Sequence, residues 1–398
     1  MRQTGFFKKS FPLLAFAFLF SFFSGLGQTY TLSLYVPSLA ESFGLSNSFF
    51  GSIYALATVA GGLTLPWLGG WFDKMNIRKY ALFVLSGLII SLVVLSFAGH
   101  ILIVVLAFYG LRLFGQGLMG HTSISAVARY FSEGRGKALG TATLGHPTAE
   151  AFMPILLALI IGDVGWRFSL QISALACVLV MLPLALILLK KSEPRIRAYS
   201  IQKKVTSRQA SFISFREFTK GRPFWIIVPL IFCVGFINTA VFFFQLQFGE
   251  ERGWSPEWVA ASVSAFAIAN ALGLSLAGPL VDRFSGKQLF RSYGFPYIIG
   301  LSIIIFWNHP FAYPLTLFFM GFSNGLGSTI KNAMMVEIYG VQIIGKVRSM
   351  FTMIIVFSTG LGPLLLGIFL DWGYSFQTGF IIALISMIFS VGNAWRKF

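Results

Sequence analysis

With 398 residues, 56% hydrophobic side chains, 45 Phe and only 11% charged residues, the chain has too little polar surface to cover a soluble globule of its length. It reads as a polytopic membrane protein. The net charge of +17 lies on basic residues scattered through short segments between apolar runs, which form no continuous groove for nucleic acid and instead set orientation and meet anionic lipid headgroups.

Apolar runs long enough to cross a ~30 Å hydrocarbon core as helix fall at 11–36, 49–71, 80–99, 101–127, 138–161, 166–189, 223–247, 255–278, 289–307, 311–335, 347–369 and 375–394. The pattern predicts an all-α membrane protein of twelve helices, six in each half. Residues 2–9 carry Arg2, Lys8 and Lys9, but the run behind them is too long for a signal-peptide core and no small-x-small pattern ends it, so it reads as the first membrane helix. Cys177 and Cys233 fall inside the sixth and seventh spans, where thiols serve as small apolar fillers, and they imply neither a disulfide framework nor a metal site. Between those spans, residues 190–222 carry ten basic and two acidic side chains around Pro194. This segment suits a cytoplasmic tether between two mobile halves, 1–189 and 223–398, either solvated throughout or with residues 212–218 as a short interfacial helix. Placing both termini in the cytoplasm leaves only Arg167 and Arg252 outside and Arg112 and Lys331 within helices, while every other basic residue is cytoplasmic, as the positive-inside rule requires.

The two halves repeat. Gly69, Asp73, Lys74 and Arg78 after the second span are matched 209 positions later by Gly278, Asp282, Arg283 and Lys287 after the eighth. Gly136-Lys137 and Gly345-Lys346 keep the same offset, and Asp163-Val164-Gly165-Trp166 recurs as Asp371-Trp372-Gly373-Tyr374. Duplicated membrane units of this kind build two-bundle transporters. The loops GGWFDKMNIRK and GPLVDRFSGK resemble the paired signature of the major facilitator superfamily, although Asn76 stands where that pattern often has Gly. The resemblance covers the whole chain, and it implies two six-helix bundles with the loop motif as a conformational latch. Physically, Gly69 permits close helix approach, and Asp73 at a helix end can pair with Arg78 or with the amides of a facing helix.

Few polar groups sit inside the spans. Arg112 lies near the middle of the fourth, about eleven residues or ~16 Å from its start, where a charge is costly unless paired or hydrated. Gln116 is one turn away, and Gly115, Gly117 and Gly120 leave a smooth packing face. The segment RLFGQGLMGHTS resembles the superfamily, in which an Arg of this helix is tied to proton or anion handling. Glu150, the one intramembrane acid, lies at nearly the depth of Arg112, with His146 one turn earlier. The surrounding GHPTAEAFMP departs from the Gly-Pro-rich pattern of superfamily antiporters. Three readings of Arg112 and Glu150 stand open: a proton-coupling element, an anion site whose resting partner is Glu150, and a structural pair. Gln28 and Tyr30 in the first span, Asn238 and Gln245 in the seventh and Asn324 in the tenth are candidate substrate contacts, each equally able to join helices. Lys331 and His121 lie near the cytoplasmic mouth, where snorkelling or capping accounts for them.

No Ser-His-Asp order, Cys-x-x-Cys, His-Glu-x-x-His or phosphate-cradling Gly-Lys-Ser/Thr loop is present, so enzymatic chemistry and ATP hydrolysis have no residues to carry them. A channel would need a ring of like charges or carbonyls. The expected function is therefore secondary active transport of a small solute by alternating access in a bacterial cytoplasmic (inner) membrane. Proton coupling is expected, with no cofactor, no metal and a monomeric chain. The net positive helix interior favours a small organic anion or zwitterion, and the alternative is a proton-driven exporter of hydrophobic compounds or drugs.

Overall fold

In the computed structural model, which describes residues 2–131, 135–202, 219–340 and 344–397, helix is the only regular structure among the described residues. Ten segments are long and apolar enough to cross a membrane. The difference from twelve runs has two physical sources. Residues 138–161 and 166–189 join into one 54-residue stretch, Ala138–Lys191, which bends at Gly165 with φ 80° and ψ 165°. The helix Ala312–Tyr339 is not among the ten; Asn324 and the Gly, Ser and Thr residues around it lower the hydropathy of its most apolar stretch. Gly373, at the matching place in the second half, also has a positive φ of 83°. The repeated Asp-x-Gly-aromatic motif thus ends a helix with a left-handed glycine in both copies. The stretch 212–218, read as an interfacial helix, lies outside the described residues; its basic segment opens as the helix Glu193–Gln202.

The chain divides into two compact units, one of residues 1–35 and 60–208, the other of 36–59 and 209–398. In the first, the helix Arg2–Phe23 packs on Gly120–Tyr130, Gly145–Ala176 and Leu182–Lys191. Ser123 Oγ donates to the Ala17 carbonyl at 2.7 Å, and the lack of a side chain at Gly145 lets its helix rest on the backbone of Phe18 and Phe22. In the second, Pro256–Phe284 runs along Ala312–Tyr339 in the most extensive helix-to-helix packing among the described residues. A Cβ on Gly273 would lie 2.9 Å from the Leu326 nitrogen, and one on Gly325 2.8 Å from the Leu274 nitrogen. Small residues draw the two backbones together where hydrophobic burial cannot, since lipid is as apolar as the helix faces. Exposed Leu63, Leu106, Leu179, Phe306 and Phe389 leave an apolar surface suited to lipid.

Candidate functional site

The first predicted span is not one helix. Arg2–Phe23 ends in a tight turn, Ser24–Gly27; Gln28 is extended at φ −82° and ψ 157°, and the chain re-enters helix at Thr29–Leu32. Ser24, Gly25, Leu26 and Gly27 are buried, so the carbonyls released by the break need partners inside the protein. Arg112 supplies one, its guanidinium donating to the Gly27 carbonyl at 3.3 Å. Arg112 sits in Leu111–Met119, which winds as a π-helix in the middle of the fourth span. Such widened turns recur at functional sites because they turn side chains out of the regular register.

The same turn carries the acidic side of the site. A Cβ on Gly25 would lie 2.9 Å from that of Ala149 and 3.0 Å from the Tyr30 hydroxyl, while one on Gly27 would lie 2.6 Å from the Gln116 nitrogen. The break is therefore wedged between the helix that bears Arg112 and the helix that bears Glu150. Arg112 is 3% and Glu150 5% exposed. Nδ1 of His146 stands 3.7 Å from Oε1 of Glu150, and the buried Tyr30 ring meets the imidazole edge to face. One neighbourhood of the first unit thus gathers a guanidinium, a carboxylate, an imidazole and a phenol, with Gln28 and Gln116 at its borders. At nearly equal depth Arg112 and Glu150 can pair, and their described contacts also include Gly27 for Arg112 and His146 for Glu150. Thr64 and Tyr109, hydrogen-bonded at 3.0 Å in the same unit, carried no sequence signal beyond their polarity. Replacing Gly27 by Val is expected to abolish transport and reduce the yield of folded protein sharply, because the branched side chain would meet backbone with no room to move. Detergent thermostability and size-exclusion profiles of the variant check this.

The remaining candidates lie in the second unit. Asn238 accepts from the Tyr297 hydroxyl at 3.2 Å, fully buried Gln245 accepts from Tyr313 at 3.4 Å, and Asn324 faces Asn270 at 3.5 Å. Gly327 leaves room for the Tyr293 ring and the stem of Lys331. The pairs of Asn238, Gln245 and Asn324 are helix-to-helix polar contacts, each with one member that sequence reading did not single out.

The loop motif differs from expectation in its partners. Asp73 pairs with Arg129, not Arg78. Arg129 also donates to the Phe72 carbonyl at 2.9 Å and stacks over the Phe72 ring at 4.1 Å. Arg78 lies on Glu193 at 3.1 Å, and hydrogen bonding from Arg197, with the Arg78 charge added, holds the Glu193 carboxylate below its ordinary range. Gly69 leaves space for His121, whose Nε2 lies 3.2 Å from the Gly69 carbonyl. In the second copy, Asp282 and Arg283 are exposed. There Glu337 takes the backbone N–H groups of Gly286 at 2.6 Å and Lys287 at 2.9 Å. The copies are chemically inverted: a cation reads a helix end in one, an anion reads amides in the other.

Membrane-length helices, buried Arg112 and Glu150 with a half-buried His146 around a broken helix, and two unequal charged loops make a polytopic membrane protein, and its family match makes it a membrane transporter and not an enzyme. The chain belongs to the Major Facilitator Superfamily, whose family model matches residues 17–287 and 248–397. It is 25% identical over 296 residues to the fosmidomycin resistance protein of Escherichia coli (strain K12), covering 71% of this chain and 68% of that protein. Its fold is similar to that of the nucleoside transporter NupG, with a TM-score of 0.76 at 14% identity over 98% of this chain and all of that one. A bacterial homologue of the human lysosomal transporter Spinster, crystallised inward-facing and occupied, gives a TM-score of 0.72 at 15% identity over 98% and 97% of the two chains.

Proposed function

We propose that the chain moves a small organic anion or zwitterion across the bacterial cytoplasmic membrane by alternating access, driven by protons. In this reading both termini are cytoplasmic, twelve helices form two six-helix bundles, and the chain acts as a monomer. The bend at Gly165 and the polar helix Ala312–Tyr339 account for the two crossings beyond the ten apolar segments. The observation that carries the reading is the cluster at the helix break. Arg112 offers hydrogen bonds and positive charge to an anion, while Glu150 with His146 can take up and release a proton beside it. A titratable group next to a fixed cation lets proton and anion affect each other's binding, which is the thermodynamic content of coupling. The test is accumulation of a panel of labelled carboxylates and zwitterions by the chain in liposomes under an imposed pH gradient. Uphill uptake or extrusion of one class, collapsed by a protonophore, is the expected outcome; flux indifferent to pH and to Arg112 substitution overturns the proposal.

A second reading, export of hydrophobic compounds, has its own support. The second unit holds a cavity of about 360 Å³ lined by five phenylalanines, Phe232, Phe236, Phe369, Phe376 and Phe380, with Gly379 on one wall. Its Cys233 thiol is already engaged with Ser390 at 3.2 Å, so the lining presents carbon to a ligand. The relative in Escherichia coli is named for drug resistance. Filling the cavity with Gly379→Phe separates the readings: it is expected to leave carboxylate flux near normal, and a loss of resistance to apolar drugs would favour the exporter.

A further inference from the structure

The helix Asn47–Gly69 begins in the second compact unit and ends in the first, since residues 36–59 and 60–208 cluster apart. If alternating access moves the units, the packing at one end of this helix has to change. Its start is held in the second unit in two ways. Along the helix the contact is made of small residues: Gly51 against the Pro363 and Leu364 backbone, Gly360 against Ala55, and Gly367 against Asn47 and Ser48. Such contacts are non-directional and reform easily. At its tip the contact is charged. Both carboxylate oxygens of Asp371 accept backbone N–H groups of the first turn, Asn47 at 3.1 Å and Ser48 at 2.8 Å. The Ser46 and Ser48 hydroxyls stand beside them, and the Gln247 side chain holds the Asn47 side chain at 3.1 Å. No basic side chain pairs with Asp371 among the described residues.

The first turn of a helix has amides that its own backbone cannot satisfy, and a carboxylate placed there is stabilised by two charge-assisted hydrogen bonds as well as the helix dipole. Usually the cap is local. The helix that corresponds by the internal repeat, Pro256–Phe284, is capped by its neighbour Ser255 and begins with a proline that has no N–H to satisfy. Asn47–Gly69 takes its carboxylate from 324 residues away. The repeat also shows which acid has been recruited, because Asp163, the counterpart of Asp371, is exposed and has no partner among the described contacts.

We propose that Asp371 is a releasable latch: its carboxylate clamps the start of the helix Asn47–Gly69 to the end of the helix Ile344–Asp371, and the clamp opens once in each transport cycle. The inference rests on the transport reading above, but the latch can be observed without knowing the substrate. Asp371→Asn is isosteric yet offers one acceptor where two amides need one each, and it turns an N–H toward the other amide. Ser48→Pro removes one of those amides from the opposite side of the contact at a position where proline suits a helix start, whereas Ser48→Ala keeps it.

The experiment uses the full chain with Cys177 and Cys233 replaced by Ala and a single reporter, Ala55→Cys, placed in the small-residue contact facing Gly360. Labelling by a membrane-impermeant maleimide is followed in liposomes. Asp371→Asn and Ser48→Pro are each expected to raise the labelling rate about three- to ten-fold, the population shift that loss of a helix-terminal charge contact produces. The double variant should add little to either. Asp371→Glu is expected to restore the slow rate in part, and Asp163→Asn and Ser48→Ala to stay close to it. Unchanged labelling in Asp371→Asn, or full additivity with Ser48→Pro, overturns the latch. If labelling shifts as described while no pH-driven transport of any solute is found, the latch stands and the coupling proposal fails.

Discussion

Glu150→Gln is expected to abolish accumulation driven by a pH gradient while leaving exchange of substrate across the membrane largely intact. The neutral amide has the shape of the protonated acid, so the carrier can still turn over with substrate on both sides but has no proton to bring with it. Arg112→Ala is expected to do more damage, lowering both exchange and accumulation by ~100-fold or more. It leaves a buried carboxylate in a site that has lost its cation, for which breaking one side of a buried charged cluster costs about 3–5 kcal/mol. It also strands the Gly27 carbonyl at the helix break, worth a further ~1–3 kcal/mol. Arg112→Lys keeps the charge but not the fork of donors, and an intermediate rate is expected. Flux in liposomes with and without a pH gradient, normalised to folded protein, checks all three. Retained uphill accumulation in Glu150→Gln would remove this residue from the mechanism and leave the buried cluster a structural role.

The features that periodicity and charge can report were legible in the sequence: the membrane spans, the repeated halves, the rarity of intramembrane charge, and hence Arg112, Glu150 and His146. The break at Ser24–Gly27 was not. Gly25 and Gly27 look like packing glycines in a run that is hydrophobic throughout, and nothing in one strand of sequence shows that Met153 and Ala149 will press on the first and Gln116 and Gly115 on the second. Arg129, the ion partner of Asp73, lay outside the two expectations, Arg78 and the amides of a facing helix, for a related reason. Arg78 is five residues away and Arg129 fifty-six, and proximity in sequence favours the first, yet the Ile77–Ser96 helix carries Arg78 toward Glu193 instead. Asp371 was visible as half of a repeat, but its target is a helix start rather than a side chain, and backbone amides leave no mark in composition. The second-unit candidates Asn238, Gln245 and Asn324 were found by polarity alone, which cannot separate a residue that binds solute from one that ties two helices together.

The inverted chemistry of the two loop copies gives the last expected result. Asp73 has a side chain 78% exposed and one ion pair, whereas the side chain of Arg129 is 10% exposed and holds that pair, the Phe72 carbonyl and the Phe72 ring together. An exposed ion pair is worth ~1 kcal/mol or less, so Asp73→Asn alone is expected to slow transport only a few-fold if the loop acts through this contact. Arg129→Ala removes all three contacts and is expected to slow transport by roughly ten-fold or more, and Arg129→Lys to recover little, because a point charge cannot stack and bridge at once. In the second half the same logic points away from the residue the repeat would nominate. Asp282 is exposed and outside the described hydrogen bonds, so Asp282→Asn is expected to be close to neutral. Glu337→Gln loses a carboxylate that satisfies the Gly286 and Lys287 amides, and is expected to have an effect several-fold larger than Asp282→Asn. Initial rates of the five variants at equal membrane expression decide it: an Asp282→Asn defect as deep as that of Glu337→Gln would show that the two loops work alike after all, through residues rather than through helix ends.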